Sequence, residues 1–528
     1  MNAAVWRLRM SNLLATGCER SYRIGVPVAA ALSVILALMA RTVIDHAPQY
    51  DELLHFLAAR GLLEHGVPVI ADGQYLRAFA FTRLVALSMQ LFGDNLVVAR
   101  IPAVAGAAAL VFATSLFATR QAGWIAGVSA GLVLCAVPLT IDLAVFSRFY
   151  TIHAALVLLA AIAGYAAIAP GRSRFAQTGL ALLSLVFLVL AMDLQLTTAI
   201  AVGALASAVA ATVIFDNWSR VQTFVRDNPI LVAVAAVALA TLCLFVASAL
   251  GLLHEMRRAP LWAQDSVSKL HYYVPEFSTR MPLIWPLFPL AIVFAVRGQP
   301  RLTIFCSVFF AAAFIAHSVA AAKAVRYVYY ILPFLSVVYG CAVSFILSAA
   351  CRSESGAREA KPANAIGVAL LVGGLMLVLS VEGRDMGRLI VGHTDPTRAL
   401  SYGGEPDWNP TLPQLKPLLA TANRVVTSSS MKAIYYFGRY DYEISQTSVQ
   451  ESATHAEFGI DERTGRHAIS TPQSIVKVLD MPEPTLIVLE TRSVGRSGGV
   501  STPTMSVITQ RCTSVPLPRE VSVLAWRC

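Results

Sequence analysis

The chain reads as a succession of apolar runs separated by short polar breaks, and this pattern holds up to Val381. Most runs are long enough to cross a hydrocarbon core of about 30 Å as a helix. The pattern predicts a polytopic α-helical membrane protein with about eleven spans, near 24–43, 96–118, 121–141, 151–169, 175–192, 197–215, 229–250, 282–296, 302–321, 326–349 and 364–381. The run Phe79–Phe92 is shorter and carries Arg83, Ser88 and Gln90, so it is predicted to lie along the interface as an amphipathic helix. With that assignment Arg120, Arg172, Arg174, Arg220, Arg226, Arg297, Arg301, Arg352, Arg358 and Lys361 all fall in inner loops. This is the positive-inside distribution. An odd number of spans with the N-terminus inside then places the C-terminal part outside.

Two predicted outer loops are long, Ile44 to about Asn95 and Gly251 to Met281. The chain therefore divides into a transmembrane domain, 1–382, and a soluble extracytoplasmic domain, 383–528, rich in Pro, Thr, Ser and charge. In the tail, Arg424–Ser428 and Thr485–Glu490 read as buried strands, and Met431–Phe437 and Pro472–Leu479 as helices. Short strands alternating with helices predict a small α/β layer domain. Neither a P-loop nor a Gly-rich dinucleotide fingerprint occurs in it.

Composition agrees with this division. Hydrophobic residues make up 56% of the chain and charged residues 14%, against about 25% charged in soluble domains. The net charge of +10 sits mainly in inner loops, where it meets lipid headgroups, so nucleic-acid binding is excluded. The first run follows Arg7, Arg9, Arg20 and Arg23 without an evident small-residue cleavage site, as expected of an uncleaved anchor. Cys512 and Cys528 form the one cysteine pair of the tail, and their spacing permits a disulfide in an oxidising compartment. The Ala-rich spans suit a bacterial cytoplasmic (inner) membrane.

Candidate chemistry begins in the first outer loop, at His46-Ala47-Pro48-Gln49-Tyr50-Asp51-Glu52. Pro48 suits a first helical turn, and acids there are favoured by the helix dipole. The plain reading is two carboxylates helping to start an interfacial helix. The sharper one is a carboxylate at the membrane surface that takes a proton from an acceptor hydroxyl. Tyr50-Asp51-Glu52 resembles the acidic motif of the membrane-embedded C-type glycosyltransferases, in the branch of protein O-mannosyltransferases and lipid A aminoarabinose transferases (glycosyltransferase family 39 and relatives). Leu76–Gly93, Asp94-Asn95-Leu96 through Ala99-Arg100-Ile101-Pro102, Ser147-Arg148-Phe149-Tyr150, and Arg326-Tyr327 followed by Pro333 resemble further family segments in the same order. The likeness covers about residues 20–350.

The resemblance implies transfer of a sugar from a polyprenyl-phosphate donor to a glycan, lipid or protein acceptor, on the outer face. Asp51 would be the general base and Glu52 its catalytic neighbour, orienting the acceptor or binding a metal. Lys323, Arg326 and Arg148 would bind the donor phosphate, although Lys and Arg at helix ends often only snorkel to the interface. Tyr150, Tyr327, His55 and Tyr272 would line the substrate pocket. A plainer reading makes His55 a residue facing headgroups and Tyr272 part of an aromatic belt. The aminoarabinose-type enzymes carry an acid in the second outer loop, close to where this chain has Tyr150, so no metal or other cofactor is expected to be required. The competing function is a transporter or flippase of lipid-linked glycans. Such proteins place ionisable groups and broken helices at mid-membrane, whereas the polar residues here gather at the outer edge.

Overall fold

The computed structural model describes residues 3–230, 270–320, 323–352, 407–452, 458–495, 498–518 and 521–528, and residues 241, 248 and 381 singly. The predicted spans 229–250 and 364–381 and the domain boundary near residue 383 lie outside the described residues, apart from isolated positions. The described chain forms two compact units. One comprises 1–43, 103–145 and 149–394; the other comprises 44–102, 146–148 and 395–528.

The first unit is helical. Among the described residues, seven helices are long and apolar enough to cross a membrane, or nine spans if two bent pairs each count as one. The outer surface of the Arg174–Leu194 helix shows why lipid is its solvent: Leu182, Leu185 and Val189 are 58%, 56% and 61% exposed. Leaving such a stripe in water would forgo about 25 cal/mol for each Å² of apolar area. Between helices lipid supplies no hydrophobic drive, so association relies on close backbone approach. Gly127 lies against Thr119, and Gly340 against the Ala126 carbonyl; a β-carbon at either position would collide.

Two predicted spans differ in detail. The run expected at 121–141 bends by 70° between Trp124–Ala136 and Pro138–Ala144. Pro138 has no N–H to continue the first helix, yet is suited to start the second. The run expected at 282–296 is the Ile284–Gly298 helix, preceded at a 93° bend by a short helix, Tyr273–Arg280, that the hydrophobic pattern did not announce.

The second unit contains the Tyr50–His65 and Phe79–Phe92 helices, a small hairpin of β1 (Val69–Ile70) and β2 (Gly73–Gln74), and the tail. Tail strands are β3 (Arg424–Thr427), β4 (Tyr442–Ile444), β5 (Gly459–Ile460), β6 (His467–Ile469), β7 (Thr485–Glu490), β8 (Thr513–Val515) and β9 (Val523–Arg527). They form one sheet in the order β5-β6-β4-β3-β7-β9-β8, parallel from β6 to β7 and antiparallel at both edges.

The strands β3 and β7 are buried along their whole length, and alternation sends their side chains into two cores. Val425, Leu486 and Val488 pack with Trp408, Leu415 and Tyr440 on one face. Val426, Ile487 and Leu489 pack with Ile444, Ile475 and Ile508 on the other. The predicted tail strands and helices recur as Arg424–Thr427, Thr485–Glu490, Ser430–Phe437 and Pro472–Leu479. Cys512 and Cys528 are joined in a disulfide.

Candidate active site

The acidic motif opens the Tyr50–His65 helix. Gln49 is its N-cap, so Pro48 stands before the helix rather than in its first turn. Asp51 and Glu52 both lie in that first turn but have different surroundings. Asp51 is half-buried, and its backbone carbonyl accepts a hydrogen bond from Arg148 Nη1 at 3.1 Å. Glu52 is fully buried.

Both oxygens of Glu52 are engaged. Oε1 accepts from the Gln49 N–H at 2.9 Å and from Arg100 Nη2; Oε2 accepts from Arg100 Nε at 2.9 Å and from the Ser147 N–H at 3.2 Å. Arg100, also fully buried, donates through Nη1 to the carbonyls of Ile44 and His46. Burial would raise the Glu52 pKa, but the Arg100 charge and the N–H donors more than offset it and hold the carboxyl below its usual range. Arg100 entered the sequence argument only as part of a family segment. A guanidinium in an apolar lead-in to a span is itself a signal that a buried partner exists.

Arg148 bridges Asp51 and the hairpin, since the same Nη1 also donates to the Tyr75 hydroxyl at 3.2 Å. His55, one turn after Asp51, is buried rather than facing headgroups. Its Nδ1 lies 2.9 Å from Thr82 Oγ1, and its ring meets Tyr75 and Phe81 edge-on at 5.2 and 4.9 Å. Burial first, then the charges of Arg148 and Arg77, push its pKa well below the ordinary value, so it is neutral near pH 7. An unfolded chain takes up a proton at this histidine below about pH 6.5 that the folded one refuses, so stability falls as pH drops through that range. His55→Gln, which cannot titrate, should lose less melting temperature than wild type between about pH 7.5 and 5.5. An equal loss would show that the sensitivity resides elsewhere.

The remaining candidates belong to the helical unit. Tyr150 begins the Tyr150–Ala167 helix, buried, with its ring 6.4 Å from that of Tyr327. The Arg326 guanidinium stands 5.5 Å from the Tyr327 ring. Burial, followed by the neighbouring Glu276 charge, raises the Tyr272 pKa, with Arg280 and Arg326 opposing. Lys323 is buried and donates to the Ala320 carbonyl at 2.8 Å. Tyr150, Tyr327, Arg326 and Tyr272 thus form one aromatic-cationic group. Asp142 is buried, with Arg280 Nη1 3.9 Å away.

No family model and no curated protein matches the sequence. Solved structures do match in fold. The structure of ArnT from Cupriavidus metallidurans bound to undecaprenyl phosphate superposes with a TM-score of 0.60 at 14% identity, covering 95% of this chain and 97% of that one. The archaeal oligosaccharyltransferase AglB from Archaeoglobus fulgidus, in complex with an inhibitory peptide and a dolichol-phosphate, gives 0.55 at 11% identity, covering 88% and 69%. Along nearly its whole length, then, this chain has the fold of the C-type membrane glycosyltransferases.

Proposed function

We propose that this protein transfers a sugar from a polyprenyl-phosphate donor to an acceptor hydroxyl on the outer face of the cytoplasmic membrane. Asp51 is the general base. The acceptor oxygen attacks the anomeric carbon as its proton passes to Asp51, the bond from that carbon to the phosphate oxygen breaks, and polyprenyl phosphate departs with the electron pair. Displacement from the opposite side inverts the anomeric configuration.

The observation that carries this reading is the contrast between adjacent acids: Glu52 is buried with both oxygens bonded, whereas Asp51 keeps partial exposure. Glu52 is accordingly a positioning residue. It offers no spare oxygen to a metal, and among the described residues no three His, Cys, Asp or Glu side chains gather as a ligand set. The proposed step runs through no metal. ArnT, the fold relative that binds undecaprenyl phosphate, supports a lipid-phosphate donor.

The donor phosphate is assigned to Lys323 and Arg326, with Tyr327, Tyr150 and Tyr272 lining the place of the sugar or lipid; Arg148 serves as a further cation. A hydrogen bond to a charged group is worth about 1.5–3 kcal/mol, so Lys323→Ala or Arg326→Ala should raise the donor KM by about 10- to 100-fold. The acceptor KM should change little. Donor dependence unaltered in both variants would remove them from the phosphate site.

The deciding experiment is mass-spectrometric profiling of envelope glycans, glycolipids and glycoproteins in cells lacking the protein, complemented with wild type or Asp51→Asn at equal membrane levels. Loss of one conjugate that only wild type restores is the expected result. An unchanged profile, or restoration by both versions, overturns the reading.

A further inference from the structure

Open sheets with parallel strands receive ligands beyond the carboxyl ends of those strands. In the tail, the place beyond β3 and β4 is taken by a residue of the chain's own first outer loop. The Tyr50 hydroxyl lies 3.0 Å from Ser430 Oγ, and Ser430 follows β3 by three residues. Ser430 Oγ donates to Glu443 Oε1, in β4, at 2.9 Å. The second oxygen, Oε2, accepts from Ser448 Oγ at 3.2 Å. Ser430 is fully buried and Glu443 is 3% exposed. The Arg463 guanidinium, bonded to Asp461 at 2.8 Å, stands 5.9 Å from the Tyr50 ring.

A chain of hydroxyls ending on a buried carboxylate is an expensive way to pack one tyrosine, because each polar group loses water on burial. Burial, helped by the Asp461 charge, raises the Glu443 pKa, the mark of that cost. What the chain supplies is direction. A hydrogen bond fixes the Tyr50 ring where apolar contact alone would let it slide.

The same loop is held at a second place. The Asp72 N–H donates to the Thr464 carbonyl at 2.8 Å, and Arg466 pairs with the Asp72 carboxylate. Gly73 and Gly465 back onto each other so closely that a β-carbon on Gly73 would lie 2.6 Å from the Gly465 nitrogen. Tyr50 and Asp51 are consecutive residues of one helical turn, and Arg148 holds the Asp51 carbonyl. The turn that carries Asp51 is therefore fixed at both residues, with the tail supplying the hold on Tyr50.

We propose that Glu443 is a positioning residue for the transfer reaction: acting through Ser430 and Tyr50, the tail sets the turn that presents Asp51. The proposal rests on the reading of Asp51 as base.

The test uses the full-length protein with Tyr50→Phe, Ser430→Ala, their double variant and Glu443→Gln. Two quantities are measured: the rate at which the conjugate reappears in induced cells, at equal membrane levels, and amide hydrogen exchange of Gln49–Leu54 in nanodiscs. Each single variant should slow the conjugate by about three- to tenfold, the worth of one hydrogen bond. The double variant should be no slower than the slower single, because both remove one interaction. Exchange should quicken at Gln49–Leu54 while β3 and β7 keep wild-type protection, and Ser430→Thr should restore both readouts.

Wild-type rates in the single variants, losses that multiply in the double, or lost protection across the tail sheet would each overturn the proposal. The last outcome would mean that the contact serves folding alone. If Asp51→Asn proves active, the base assignment fails separately, and the exchange data still decide whether the tail holds the turn.

Discussion

Asparagine at position 51 is expected to stop sugar transfer in a protein that still folds and inserts. The amide keeps the shape of the carboxyl but has no lone pair basic enough to receive the acceptor proton. Base assistance is worth about 10²–10⁴-fold, so residual turnover should fall to that level or below. The structural cost should be modest, because the amide keeps the volume of the carboxyl and its oxygen still accepts hydrogen bonds at this half-buried position in a first helical turn. Its backbone carbonyl, which receives Arg148, is untouched by the substitution. Asp51→Glu moves the same base outward by one methylene and should retain part of the rate, because proton transfer tolerates a modest shift when the group can still reach. Turnover is measured as conjugate formation at matched membrane levels, with melting temperature as the control. Wild-type turnover in Asp51→Asn would sink the assignment, and a collapse of melting temperature would move Asp51 into the folding machinery.

The membrane body was legible because a helix in lipid must be long and apolar, and length and hydropathy are local properties. The tail's two central strands were legible for a related reason: Val425-Val426 and Leu486-Ile487-Val488-Leu489 are continuous apolar runs, as strands covered on both faces must be. The site was legible only where the motif is contiguous. Asp51 and Glu52 stand together in the sequence, but what separates their roles does not. Arg100 is 48 residues from Glu52, Ser147 is 95, and Ser430 is 380 residues from Tyr50. No periodicity links such positions, since the contacts depend on chain path rather than on local propensity. His55 shows the same limit: its spacing put it near Asp51, but only the packing of Tyr75 and Phe81 makes it a buried, neutral residue. The bend at Pro138 had a local signal in the proline itself, which a count of apolar residues does not register.

Removing either partner of the Glu52–Arg100 pair should have a large effect on stability. Both side chains are fully out of water, so Glu52→Ala leaves a guanidinium buried among backbone carbonyls with its charge uncompensated. Breaking such a pair costs about 3–5 kcal/mol, although forming it from solvated ions gains little. The pair also holds chain segments together. Arg100 reaches the carbonyls of Ile44 and His46, and Glu52 reaches the N–H groups of Gln49 and Ser147. Its loss should therefore loosen the lead into the Asp51 helix and the Ser147-Arg148 segment together.

Replacing both charges with apolar side chains, as in Glu52→Leu with Arg100→Met, removes the uncompensated charge and should recover part of the loss, the rest staying with the four backbone groups that the pair satisfied. Unfolding in detergent, compared for the two singles and the double, measures the coupling. Strictly additive losses would mean that the two side chains act independently, contrary to the geometry. The sign of the pH dependence follows from the lowered Glu52 pKa. The pair's contribution is complete above the unfolded carboxyl value, about 4.3, and disappears as pH falls through the lower folded value. Acid should therefore destabilise wild type more than the apolar double variant, and the difference between the two curves isolates this carboxylate from all others in the chain.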